Sequence, residues 1–154
     1  RPRRYPLIGG NMLQSYPVTF SPDENGTIVA EFPDVPEAMT VGSDEKNAVQ
    51  WAQDALVVAL TGYIEERRDI PPPSKAKKGQ KLVHLPPQIA MKLAIYQSMR
   101  DQRVTQAALG ECLHVDGRQV RRILDLDHNT TLSQLTSALK CLGKELVIDI
   151  RDAA

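Results

Sequence analysis

An α+β fold is predicted for this chain, with a β-β-β-α-β unit joined to a small helical domain that ends in a strand. Three observations predict it. Apolar residues alternate with period two in short runs up to residue 42, then recur at spacings of three and four from Ala48 to Tyr63. PPPSKAKKGQK, Pro71 to Lys81, holds three consecutive prolines, one glycine and four lysines, which is the composition of a linker and a boundary. VTQAALGECLHVDGRQVRRIL, Val104 to Leu124, has the length and punctuation of two short helices joined by a tight turn. At 154 residues the chain holds one ordinary domain or two small ones. The division expected is 12–86, in which 71–81 precedes the last strand, and 87–154. Arg1 to Asn11 precedes Met12, a candidate initiator, and is read as upstream or vector-derived sequence outside the fold.

In the first part, YPVTF (Tyr16 to Phe20) alternates, and TIVAEFP (Thr27 to Pro33) sets Ile28, Ala30 and Phe32 against Val29 and Glu31, so the two read as paired strands. Asn25-Gly26 between them is a strong turn signal. AMTVG (Ala38 to Gly42) supplies a third strand. Ser43 or Asp44 then caps a helix ending near Arg67 and Arg68. In that helix Ala48, Trp51, Ala52, Ala55, Leu56, Ala59, Leu60 and Tyr63 form a stripe that covers the sheet, and Trp51 is expected to add a large buried area. KLVHLP (Lys81 to Pro86) returns as the fourth strand.

The second part opens with LPPQIAMKLAIYQSMRDQ, where prolines start a helix and Ile89, Leu93, Tyr96 and Met99/Arg100 track one face. Thr105 caps the next helix, with Ala108, Leu109 and Leu113 on its apolar side. Asp116 caps the one after. There Val120, Ile123 and Leu124 face inward while Gly117, Arg118, Arg121 and Arg122 point away. After the polar connector LDLDHNTT, Thr131 or Ser133 starts a helix with Leu132, Leu135, Leu139 and Leu142 in register, stopped by Gly143. KELVIDIRD alternates Leu146, Ile148 and Ile150 against Val147 and Asp149 and reads as a strand. A lone strand on a helical bundle needs a partner, and the same strand of a second subunit would provide one.

Charge and cysteine usage narrow the function. Formal net charge is zero, but Met12 to Ile70 holds 3 Lys and Arg against 11 Asp and Glu, a net of −8, while Leu82 to Ala154 holds 9 against 8. The first part should repel nucleic acid, and the two parts should have different partners. Cys112 and Cys141 lie in apolar helical patterns at no metal-ligand spacing and are expected to be reduced core thiols of a cytoplasmic protein. Cys112 and His114 are two residues apart, but His84 and His128 are isolated, so no metal or other cofactor is expected. Asp125, Asp127 and Asn129 alternate as calcium ligands do, yet the loop's glycine and distal glutamate are missing. Asn129-Thr130-Thr131 matches a glycosylation acceptor by chance, and no apolar run is long enough to span a bilayer. An enzyme is not expected. YPVTF contributes no carboxylate to a two-metal site, and no serine sits in a Gly-x-Ser-x-Gly elbow.

The 104–124 tract resembles the repressor-type helix-turn-helix family, in which a Thr-Gln pair such as Thr105-Gln106 opens the first helix. It departs at Gly110, where alanine is usual, and at His114, where the turn usually has glycine. Three arginines on one exposed face suit phosphates and guanine edges. The DNA-contacting candidates are Arg118 and Arg121, then Arg122, with Gln106 and Gln119 reaching phosphate or a base edge and Gly117 permitting close approach.

The whole layout resembles the HicB antitoxin family, through YPVTF, FPDVPEAMTVGS, the alanine-rich helix, LPPQIAMKLAIYQSMRDQ and RQVRRILDLDHNTTLSQLTSALKCLGKEL taken in order. The resemblance implies a cytoplasmic antitoxin. Its N-terminal domain would have a degenerate ribonuclease-H-like fold and block a HicA-type mRNA-cleaving toxin. Its C-terminal domain would bind the operon's own operator DNA as part of a homo-oligomer, dimer or tetramer. An acidic domain can compete with RNA for a basic toxin, and the candidate toxin-binding residues are Asp23, Glu24, Glu31, Asp34 and Glu37. The alternative is a stand-alone transcriptional regulator with a ligand-sensing N-terminal domain.

Overall fold

The computed structural model describes residues 15–148, 150, 152 and 153. Four strands, β1 (Ser15–Pro22), β2 (Ile28–Glu31), β3 (Met39–Gly42) and β4 (Lys81–His84), form one antiparallel sheet in the order β3-β2-β1-β4. Helix α1 (Glu45–Glu65) separates β3 from β4. Helices α2 (Pro87–Gln102), α3 (Gln106–Leu113), α4 (Gly117–Leu124) and α5 (Leu132–Cys141) follow. The chain is therefore mixed α+β, with the predicted β-β-β-α-β order. Among the described residues no helix is long and apolar enough to cross a membrane.

Register explains which residues fill the core. Tyr16 pairs with Val83, Phe20 with Ala30, and Ala30 with Thr40, so these side chains share the face that α1 covers with Ala48, Ala52, Leu56, Leu60 and Tyr63. Gly42 ends β3 where a Cβ would overlap the Ala48 backbone, so only glycine lets the helix start so close to the sheet. Asp44, not Ser43, caps α1: its Oδ1 accepts from Asn47 N at 2.8 Å, while Asn47 Oδ1 accepts from Ser43 N at 3.1 Å. At the hairpin tip Gly26 takes φ 76°, which the Asn-Gly signal anticipates.

The stretch with linker composition is bound to the sheet domain. Tyr16 donates its hydroxyl to Pro71 O at 2.7 Å, Asp34 accepts from both Ser74 N and Oγ, and Gln80 Nε2 donates to Thr19 Oγ1. Prolines lack the N–H donor a ladder needs, so this stretch is held by side-chain bonds instead. Burial pushes the Tyr16 phenol well above its ordinary pKa. A second anchor closes the loop before β3. Tyr63 donates to Glu37 Oε2 at 2.7 Å, and Arg68 reaches Glu37 Oε1 at 3.3 Å while lying 4.0 Å from the Tyr63 ring centroid. The Tyr63 hydroxyl is the main cause that holds the Glu37 carboxyl below its ordinary pKa, with Arg68 adding to it.

Four expectations are corrected. Trp51 is half exposed, because the apolar arc of α1 is wider than four short strands can cover. Leu132 is 56 % exposed, and Leu135, Ala138, Leu139 and Leu142 carry the inner face of α5. Cys112 and Cys141 are joined in a disulfide and are not reduced core thiols; Cys112 is exposed. Their separation of 29 residues is bridged because α3 and α5 pack side by side, a neighbourhood that spacing in the sequence does not reveal. Residues 144–148 and 150 form no strand, since a single chain offers them no ladder; Asp149 and Arg151 fall outside the described residues, as does the segment 1–11.

Two outcomes are expected. A bridge closing a loop of this length limits the unfolded chain by about 3–4 kcal/mol, so dithiothreitol, or Cys112→Ser, should lower the thermal midpoint of the helical part by roughly 12–30 °C. An unchanged midpoint would show that the bridge adds no stability. In the second, Tyr63→Phe should return the Glu37 pKa towards its ordinary 4.5, as read by NMR titration of the side-chain carboxyl. A lowered carboxylate pKa stabilises the fold above about pH 4.5 and loses that contribution as pH falls through the folded value, so the variant should be less acid-sensitive in that window.

Candidate functional site

Helices α3 and α4 build a basic surface from short, well-capped pieces. Thr105 Oγ1 accepts from Ala108 N at 3.1 Å and Asp116 Oδ1 from Gln119 N at 2.9 Å, so both caps read from the sequence are present. The turn between them forms on His114, whose φ of 57° is left-handed and whose N–H returns to Glu111 O at 3.2 Å. Gly110 has a local reason: a Cβ there would stand 3.0 Å from Val115 O and 3.3 Å from Val120 Cγ2. Glycine at this position sets how closely the two helices approach.

Val120, Ile123 and Leu124 are buried, which turns the opposite side of α4 outward. Arg118 and Arg121 are exposed there, and Arg122 is half-buried with Nη1 3.5 Å from Gln119 Oε1. Gly117 is the first residue of α4 and is exposed; a Cβ would leave 3.6 Å to Arg121 Nη1. Gln106, also exposed, opens α3, and Gln119 is half-buried. Helical spacing gathers Arg118, Arg121 and Arg122 on one side. That array can hydrogen-bond phosphate oxygens and paired acceptors on a base edge.

The far end of α4 is held from behind. Lys92 of α2 is fully buried, and its Nζ donates to Arg122 O at 2.8 Å, Asp125 O at 2.7 Å and His128 O at 2.7 Å. Burial pushes its pKa down, and the nearby Asp125 charge opposes that shift. Four residues earlier on α2, Gln88 Nε2 donates to Thr130 O and Asn129 Oδ1. Sequence reading missed Lys92 because a lysine inside an apolar stripe looks like a break in the pattern. Its position one residue before Leu93 and three after Ile89 was the available signal.

The five acidic candidates separate into two groups. Asp23 and Glu24 sit at the exposed β1–β2 hairpin, and Glu31 projects from β2 between its cross-strand neighbours Thr19 and Met39. Asp34 and Glu37 are instead engaged within the chain, with Ser74 and with Tyr63 and Arg68. A surface not anticipated from the sequence lies beside Glu37. A groove of about 420 Å³ runs between the edge strand β3 and α1, floored by Met39, Ala55, Val58 and Gly62. Met39 is 60 % and Val58 72 % exposed, and Trp51 stands a turn before Ala55. Trp51, Ala55, Val58 and Gly62 recur at four, three and four, a second apolar face that was present in the sequence but merged with the first.

Among the described residues no three His, Cys, Asp or Glu side chains are grouped to hold a metal ion. The family model for HicB-like antitoxins of bacterial toxin-antitoxin systems matches residues 15–94. Antitoxin HicB 2 of Photorhabdus laumondii is 42% identical over 131 residues, which cover 85% of this chain and 92% of that protein. Antitoxin HicB 1 of the same organism is 35% identical over 135 residues, 88% of this chain and 86% of that one. Antitoxin HicB of Escherichia coli K12 is 32% identical over 131 residues, 85% of this chain and 95% of its own length. With its strands, α1 and half of α2 inside the matched region, the chain belongs to the HicB-like antitoxin family.

Proposed function

We propose that this antitoxin neutralises a HicA-type mRNA-cleaving toxin through its sheet domain and represses its own operon through a helix-turn-helix made of α3 and α4. The β-β-β-α-β unit is read as a degenerate ribonuclease-H-like fold without catalytic activity, acting in the cytoplasm where the toxin meets mRNA. The domains are taken as 12–86 and 87–154. The observation that carries the DNA reading is the capped α3–α4 pair, which turns Arg118 and Arg121 outward beside a side-chain-free Gly117. Arg118, Arg121 and Arg122 are assigned to operator contact, with Gln106, Gly117 and Gln119 flanking them.

Toxin contact is assigned to the acidic, partly apolar side of the sheet domain. An RNA-cleaving protein needs a basic face, and exposed Asp23, Glu24 and Glu31 offer it an opposite charge. Trp51, Val58 and Met39 supply exposed apolar area of the kind that anchors interfaces. Asp34 and exposed Glu37 belong to the same candidate surface, fixed in place by Ser74 and by Tyr63 and Arg68. Operator binding is assigned to a homo-oligomer: exposed Val147, Ile148 and Ile150 gain a ladder when they pair with the same segment of a second copy. Two recognition helices then reach successive major grooves about 34 Å apart.

Co-expression with a short basic reading frame, where one adjoins the gene, tests the proposal. A small toxic protein should copurify; if nothing binds and growth is unaffected, a stand-alone regulator is the better reading. Trp51→Ala with Val58→Ser should weaken toxin binding by tenfold or more, roughly 1.4 kcal/mol or above, and leave operator binding unchanged. Equal affinity would move the contact elsewhere. Arg118→Ala should cost roughly 1–3 kcal/mol in operator affinity and relax specificity at one base pair if it reads a base, or flatten the salt slope by about 1 if it contacts phosphate. An operator titration with neither change would remove α4 from the contact.

A further inference from the structure

Lys92 is the one fully buried charged side chain among the described residues, and neither proposed activity uses it directly. Its surroundings are built for an ammonium group. An –NH3+ has three donors, and here three backbone carbonyls accept them, from the last turn of α4 (Arg122), its C-cap (Asp125) and the turn beyond (His128). These carbonyls lie at the negative end of the α4 dipole, where a cation is favoured. Arg122 belongs to both systems: its carbonyl is held by Lys92 while its side chain belongs to the basic face.

The other end of α2 is held independently. Tyr96 donates to Arg68 O at 2.8 Å, Gln97 Oε1 accepts from Ile70 N at 2.7 Å, and Arg100 pairs with Asp69 at 2.7 Å. Helix α2 is thus a fixed support, and Lys92 ties the end of α4 to it. Base readout needs side chains held to within about 0.5 Å, whereas attraction to phosphate does not. We propose that Lys92 is a positioning residue for sequence-specific DNA recognition, setting the seat of α4 so that Arg118, Arg121 and Arg122 meet base edges in one register.

This inference rests on the DNA-binding reading above, and the test keeps the two apart. Lys92→Met keeps the length of the side chain and removes all three donors. The full chain and the variant would be titrated with duplex DNA from immediately upstream of the gene and with a scrambled duplex of the same length. Leu135→Ala, which weakens the same helical core without removing any donor or acceptor of the clamp, serves as the control. Lys92→Met should lose tenfold or more in affinity for the upstream duplex while its affinity for the scrambled duplex stays within about twofold. Leu135→Ala should keep the ratio of the two. If Lys92→Met fails to fold, Gln88→Ala removes the outer bonds of the same clamp and should lower the ratio about threefold. Parallel loss on both duplexes, or an unchanged ratio in either clamp variant, overturns the positioning role. If the unaltered chain does not distinguish the duplexes, the DNA-binding reading falls, and this inference falls with it.

Discussion

The polar bonds that α2 makes at both of its ends organise the molecule. Towards its C-terminus, Tyr96, Gln97 and Arg100 take hold of the chain just after α1, at Arg68, Ile70 and Asp69. Towards its N-terminus, Gln88 and Lys92 take hold of the α4–α5 connector. Gln102 adds a bond to Leu142 O beyond α5. Apart from Arg100, which pairs with the Asp69 carboxylate, each of these meets a backbone group that a short helix or a turn leaves without a ladder partner, and such groups are costly when buried unpaired. The apolar core is correspondingly continuous from the sheet to the helices.

That support lets the outer surfaces diverge. The sheet side carries the excess of acid and leaves Trp51, Val58 and Met39 exposed, which a solitary domain of this size has little reason to do. The helical side exposes arginines on an eight-residue helix with a hydrophobic rear. A helix this short would not persist in isolation, so its presentation depends on packing and on the ends being held. The Cys112–Cys141 bridge does this for α3 and α5, and Lys92 does it for α4.

Most elements were legible from residues 15 to 142. Period-two runs, Asn25-Gly26, the caps Thr105 and Asp116 and the prolines opening α2 act over a few residues, and local sterics and local hydrogen bonds decide them. Even the two departures in the turn proved local: His114 accepts a left-handed backbone, and Gly110 avoids Val115 O and Val120. The basic face followed from helical spacing alone. Its six candidate residues all lie on α3 and α4 at exposed or half-buried positions.

What composition and periodicity could not convey depended on contacts between residues far apart in the chain. Trp51 and Leu132 occupy apolar positions, yet burial depends on how much surface the opposing layer covers. Asp34 and Glu37 looked free until Ser74 and Tyr63 were brought beside them across the fold. The pairing of Cys112 with Cys141 needed α3 and α5 to be neighbours, and the purpose of a lysine in an apolar stripe needed three carbonyls from residues 30 to 36 positions away. Local order is encoded where residues touch their sequence neighbours. Burial, pairing and the seat of the basic helix arise only when distant segments meet.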